Sequence, residues 1–175
     1  MTIINTENNM RKYIILLLLA ICTQLSADGL GKETLIKGTA KLNGKDVPMW
    51  FNVTGTDVVE VGNGKNAAIS QYSEGKLVVP ANIVNPADKR RYKVAKVANF
   101  AFSLCSKLTA VTLEEGIKEI GENAFSGCNA LQTIGYPASL TAIGRGAFAG
   151  CNQLRHAHLP KNLASIGQET FAGNQ

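Results

Sequence analysis

From Val94 onward the apolar positions return every 23 residues. Val94, Ile117, Leu140 and Leu163 share one phase, Val97, Ile120, Ile143 and Ile166 a second, and Phe102, Phe125, Phe148 and Phe171 a third. Ala101, Ala124 and Ala147 hold a fourth phase, with Thr170 in the last copy. Cys105, Cys128 and Cys151 hold a fifth, followed by Asn174, and Leu108, Leu131 and Leu154 a sixth. Phases kept this strictly identify an internal repeat, with three full units and a partial fourth over 94–175. Inside a unit, Ile120, Ala124, Phe125 and Cys128 fall at i, i+4, i+5 and i+8, which predicts a short helix stopped by Gly127, or by Gly150 in the next copy. Alternation through Leu108, Val111 and Leu113, and through Leu131, Ile134 and Tyr136, predicts a short strand with one buried face. Pro137 or Pro160 ends that strand, and a second extended piece, Leu140 to Ile143, leads into the next helix. A unit this small cannot bury its own apolar face, so the units must stack. The expected fold is an α/β solenoid of strand-plus-helix units.

Upstream the pattern changes. Over 28–93, strand candidates at 47–53, 58–61, 67–69 and 77–79 are separated by turn signals at Gly44, Gly55, Gly62-Asn63-Gly64 and Gly75. Asn85-Pro86-Ala87-Asp88 opens a turn before Lys89-Arg90-Arg91-Tyr92-Lys93, which predicts a hairpin at the first repeat. The first repeat of a stack needs a cover, and this segment is expected to be a β-rich N-terminal cap. Residues 1–27 read differently again. Arg11-Lys12 precedes an apolar run from Tyr13 to Cys22, then Thr23, Gln24, Ser26 and Ala27, the layout of a secretory signal cleaved after Ala27. The alternative is a lipoprotein signal with a lipid anchor at Cys22. The apolar run is too short to span a bilayer and no second one follows, so an integral membrane protein is not expected.

The spacings Leu108-x-x-Val111-x-Leu113, Leu131-x-x-Ile134-x-Tyr136 and Leu154-x-x-Ala157-x-Leu159 resemble the strand pattern of leucine-rich repeats. The combination Ile-Gly-x-x-Ala-Phe-x-Gly-Cys-x-x-Leu, at Ile120 to Leu131 and again at Ile143 to Leu154, is similar to the BspA-type leucine-rich repeats of surface proteins in Bacteroides-like bacteria, treponemes and trichomonads. Two departures stand out. The asparagine position of the general pattern holds Gly116, Ser139 and Asn162, and Leu104 stands where later units have glycine. The resemblance implies a leucine-rich repeat array and a cell-surface role in adhesion, with a host matrix or cell-surface protein as partner.

Composition narrows the chemistry. Only 18% of the 175 residues are charged, with a formal net charge of +5. Removal of residues 1–27 takes away Arg11, Lys12 and Glu7 and leaves +4, too small an excess to indicate nucleic acid. The three repeat cysteines would stand on successive rungs. Buried free thiols are expected, with one adjacent disulfide as the alternative, since the number is odd and the fourth equivalent is Asn174. His156 and His158, the only histidines, share the outward face of a predicted strand, and no acid or thiol beside them completes a metal site. Lys89-Arg90-Arg91-x-Lys93 is the densest basic run, expected to be a solvated hairpin, with an anionic polysaccharide or membrane surface as the sharper option. Asn52-Val53-Thr54 is a formal glycosylation sequon. No catalytic, cofactor or metal set emerges, so an enzyme is not expected. The outward strand positions vary between units while the inward ones do not. Thr112, Glu114, Thr133, His156 and His158 are therefore the expected partner-binding residues of an exported recognition module. The alternative is a structural spacer or fragment of a larger surface protein with no ligand of its own. The last unit stops at Gln175, leaving Ile166 and Phe171 without a following rung, and end-to-end self-association there would suit that alternative.

Overall fold

The computed structural model describes residues 34–174; the signal-type segment 1–27 lies outside them. The strands, in chain order, are β1 (Leu35–Leu42), β2 (Lys45–Val53), β3 (Val58–Val61), β4 (Gly75–Val79), β5 (Asn82–Val84), β6 (Arg91–Val97), β7 (Leu108–Leu113), β8 (Glu119–Ile120), β9 (Thr133–Gly135), β10 (Ala142–Ile143) and β11 (Ser165–Ile166). They form one sheet in the order β11-β10-β8-β6-β3-β2-β1-β4-β7-β9, with β5 paired to β6 as a hairpin. Two parallel ladders climb the repeat array, β6-β8-β10-β11 along one side and β4-β7-β9 along another. The antiparallel strands β1 and β2 join them, because β2 pairs β3 and β1 pairs β4. β3 lies parallel against β6, so the first-rung edges of both ladders are hydrogen-bonded by the N-terminal strands.

Local chemistry accounts for this join. Asn43 and Gly44 both hold positive φ, 51° and 78°, the two-residue turn that suits a right-twisted hairpin. The Asn43 side chain then reaches across to β4, donating to the Glu74 carbonyl at 2.9 Å and accepting from the Lys76 amide at 2.8 Å. β1 escaped the sequence reading because its inward residues are weak: Ile36, Gly38 and Ala40 face the core between exposed Lys37, Thr39 and Lys41. Gly38 is held there by the Phe51 ring, which a Cβ would meet at 2.8 Å. The candidate at 67–69 is not a strand. Ala68 instead bridges two segments of the chain, its carbonyl accepting from Trp50 and its amide donating to Ala101.

The predicted helices are absent among the described residues; a hydrogen-bonded turn replaces each one. Alternate amides explain why. The amides of Phe100, Phe102 and Leu104 donate to the carbonyls of Glu122, Ala124 and Ser126 in the next unit, at 3.0, 2.7 and 2.8 Å. Those of Ala101, Ser103 and Cys105 close back onto Ala98, Phe100 and Phe102, three residues earlier. The scheme recurs one unit on, where Asn123, Phe125 and Gly127 donate to Arg145, Ala147 and Ala149. An α-helix needs every amide for its own i−4 carbonyl, and here half are committed to the next rung. Left-handed residues also interrupt any right-handed run: φ is 58° at Phe100 and 50° at Asn123, then 62° at Leu104, 73° at Gly127 and 71° at Gly150. The spacing i, i+4, i+5, i+8 does select one buried face, but an arch delivers it.

Inside the arches the phases become columns. Phe102, Phe125, Phe148 and Phe171 stack with ring centroids 5.0, 5.2 and 5.6 Å apart and planes within 14° of parallel. Ile117, Ile120, Leu131, Leu140 and Ile143 fill the space beside them, each at most 2% exposed. One column fails. The third-unit strand expected at 154–159 does not form, and Ala157 and Leu159 are exposed. Val111 and Ile134 bury their side chains at the position that Ala157 occupies, and a methyl group offers too little apolar surface to hold the segment down.

Candidate functional site

The outward face of β7 and β9, with the segment at 156–158, is where the sequence placed recognition. Register sets Ala110 opposite Thr133 and Thr112 opposite Gly135, with Lys76 and Val78 on the preceding strand. Adjacent strands lie ~4.8 Å apart, so Thr112 and Thr133 are diagonal neighbours on one surface. Both are exposed, and the residues between them, Val111 and Ile134, point into the core. A Cβ at Gly135 would touch the Thr112 methyl at 3.5 Å, so glycine leaves a shallow step beside that threonine.

Glu114 has a different task. Its carboxylate accepts the Ala81 amide at 2.9 Å and its own amide donates to the Val79 carbonyl at 3.1 Å, tying the first unit to the strand before it. A second carboxylate, which sequence reasoning passed over, does the same one rung later. Glu115 accepts the amides of Ala138 and Ser139, at 2.7 and 3.3 Å. The Ser139 hydroxyl accepts from Gly116 and donates to Ile117, both at 2.9 Å, and Asn162 donates to the Ala138 carbonyl at 3.1 Å. The loops after the strands are thus stitched by mixed polar side chains in place of an asparagine ladder. The signal lay in the phase Gly116, Ser139, Asn162, whose members are all small or amide-bearing.

His156 and His158 are exposed, but not on a strand beside β9. Their ring centroids are 6.4 Å apart with planes tilted by 49°. Among the described residues no cluster of three or more His, Cys, Asp or Glu could hold a metal ion. The structure therefore brings Thr112 and Thr133 together, leaves the histidines on an irregular segment after Leu154, and assigns Glu114 to the frame.

The thiols are interior. Cys105, Cys128 and Cys151 are free and fully buried. Cys128 donates to the Phe102 carbonyl and Cys151 to the Phe125 carbonyl, each at 3.2 Å, so each sulfur bonds the rung beneath it. Burial pushes the Cys105 thiol up to about 11. The neighbouring Cys151 thiol, and then burial, push Cys128 in the same direction. A nucleophilic cysteine needs an exposed, electropositive setting, which none of the three has. Tyr136 packs edge-on against Phe148 at 6.0 Å, and burial raises its hydroxyl well above the usual phenol range. The sequon asparagine Asn52 sits within β2 with its amide donating to Glu60 at 3.0 Å, a geometry that does not present it for modification. No helix among the described residues is long and apolar enough to cross a membrane.

Comparison with known proteins agrees with this construction. The BspA type leucine rich repeat region model matches residues 89–175 in six copies. Among solved structures, a leucine-rich repeat protein from Bacteroides ovatus is 32% identical with a TM-score of 0.62, over 70% of this chain and 31% of that one. The T. pallidum leucine rich repeat protein is 27% identical with a TM-score of 0.59, over 70% of this chain and 52% of that one. The pneumococcal vaccine antigen PcpA, 23% identical with a TM-score of 0.58 over 70% of this chain and 33% of that one, shares the fold. The chain thus spans about half of the treponemal protein and about a third of the Bacteroides protein. No curated protein matches the chain. With its columns, arches and strand ladders in the order that the repeat dictates, the chain belongs to the BspA-type leucine-rich repeat family through residues 89–175.

Proposed function

We propose that this chain is an exported, cell-surface recognition module that binds a protein of the host matrix or host cell surface through the outward face of β7 and β9. Residues 1–27 act as its export signal and 28–93 as the N-terminal cap of the array. Leucine-rich repeats are typically a non-enzymatic interaction fold, and the proposed mechanism is surface complementarity without covalent chemistry or a cofactor. The observation that carries the reading is the contrast across one strand pair. Inward Val111 and Ile134 are buried, whereas outward Thr112 and Thr133 are exposed and their phases run Thr-Gly-His and Ala-Thr-His from unit to unit. A rigid backbone with a freely varying polar stripe suits recognition of a folded protein surface. Thr112 and Thr133 form the centre of the contact, and His156 and His158 its flank. Glu114 contributes by fixing the first strand.

The test is binding of the purified chain to immobilised matrix proteins and to whole host cells. Saturable binding is expected, weakened about tenfold or more by Thr133→Arg, which places a bulky charge at the centre of the patch. Absence of saturable binding, or full retention of affinity in Thr133→Arg and in His156→Ala/His158→Ala, would leave the spacer reading in its place.

A further inference from the structure

The geometry points to a second binding surface, on the β5–β6 hairpin, for a linear anionic polysaccharide. The hairpin is stiff. The Asn85 amide donates to the Arg90 carbonyl and the Lys89 amide to the Asn85 carbonyl, both at 2.9 Å. The Asn85 side chain accepts from Ala87, and Asp88 accepts from the Arg90 amide, both at 3.0 Å. Register then fixes which side chains share the outward face. Val84 lies opposite Arg91 and Asn82 opposite Lys93, and all four are exposed, while Ile83 and Tyr92 between them are buried. Lys89 stands at the turn, and the Lys118 amide bonds the carbonyl of Ala95 at 2.8 Å, which places another exposed lysine beside the same strand on the next rung.

The neighbouring carboxylates have other partners, Asp88 at the turn accepting the Arg90 amide. Asp57 is paired with Arg90 at 3.4 Å, Glu119 with Lys96 at 2.7 Å, and Glu60 accepts from Asn52. Lys89, Arg91, Lys93 and Lys118 have no ion pair among the described residues. Alternate residues of a strand stand about 6.6–6.8 Å apart on one face, so Arg91 and Lys93 present two cations at that spacing from an already ordered backbone, with Lys89 at the turn and Lys118 on the next rung. That pattern complements a linear polyanion, and Asn82 adds amide donors and an acceptor for sugar hydroxyls. The surface suits nucleic acid poorly, because no exposed aromatic ring lies in the row for bases to stack on: Tyr92 is buried, with the Arg90 guanidinium 5.5 Å from its ring centre. It suits a bilayer poorly as well, since Val84 is the only large apolar side chain exposed on the hairpin. This surface is separate from the β7–β9 face, and each can fail without the other.

Heparin serves as the probe, measured with the whole chain at physiological salt, beside neutral dextran, single-stranded DNA and phosphatidylserine-containing vesicles. Binding to heparin in preference to all three is expected. Arg91→Gln/Lys93→Gln should weaken it about tenfold and lower the slope of log Kd against log salt by about 1–2. Lys45→Gln/Lys161→Gln, which removes the same charge from exposed positions elsewhere, should leave both nearly unchanged. Circular dichroism of each variant checks that it folds, as expected for exposed side chains. No heparin binding, equal weakening in the two double variants, or equal affinity for DNA or vesicles overturns the proposal.

Discussion

Gly144 shows how closely the rungs approach. A Cβ there would lie 2.7 Å from both the Glu122 amide nitrogen and the Gly121 carbonyl carbon, backbone atoms that cannot rotate aside. Gly121 and Gly167 occupy the same phase, but the first unit carries Ala98, whose amide bonds Val61 of β3 in place of an earlier repeat. Gly144→Ala should therefore destabilise the fold by roughly 1–3 kcal/mol, read as a lower urea midpoint at unchanged m-value. Leu104 is the opposite case. It takes the left-handed conformation that Gly127 and Gly150 adopt in later units, with φ of 62°, and is 60% exposed. A left-handed bulky residue costs about 1–2 kcal/mol, offset in part by the extra chain entropy of an unfolded glycine. Leu104→Gly should raise stability by roughly 0.5–1 kcal/mol in the same measurement. Cys105 links folding to alkaline pH. Burial raises its folded value from 9.0 to about 11, so the folded chain holds the proton more tightly than the unfolded one. Its contribution is complete below pH 9.0 and is lost as pH rises towards about 11. A urea midpoint that falls across this window, and falls less in Cys105→Ala, checks the sign.

At the level of elements, the aromatic column sets a graded expectation. Phe125 is fully buried with a stacked ring on each side, whereas Phe171 is only partly buried and stacks on Phe148. Phe125→Ala should cost about 3–5 kcal/mol, and Phe171→Ala less than half as much. These columns were legible in the sequence because a buried side chain recurs at fixed spacing whatever backbone presents it. The arches were not. Periodicity reports which side chains face inward, and a helix and an arch with left-handed residues at Asn123 and Gly127 can bury the same four positions. β1 was missed because Gly38 and Ala40 carry almost no apolar signal. The strand at 154–159 was overread because Leu154 and Leu159 matched the pattern while Ala157, between them, lacked the bulk to fill the core. The outward placement of Thr112 and Thr133 was legible because strand alternation separates outward from inward residues, and β7 and β9 are real strands. The structural use of Glu114 was out of reach, since its partner, Ala81, lies 33 residues away.

Across the whole described unit, stability is distributed along two ladders. The inner rungs have a neighbour on either side, and the first rung is joined to β3 and β4. Ile166 on β11 is 47% exposed and Leu163 only partly buried. Hydrogen exchange should therefore be graded. The amides of Ala164, Ser165 and Gly167, which bond Thr141 and Ile143, should exchange at least about tenfold faster than the equivalent Lys118 and Gly121 amides. Uniform protection from the first rung to the fourth would contradict this. The alternation of amides within each arch also bears on how such a gene can change length. Within an arch every second peptide group is assigned to the neighbouring rung, so inserting or deleting one residue there would break that pairing and shift the following residues out of their columns. Duplication or loss of a whole 23-residue unit keeps every assignment intact. Gain or loss of whole repeats is thus the length change that the array tolerates, with single-residue insertions confined to the loops between ladders.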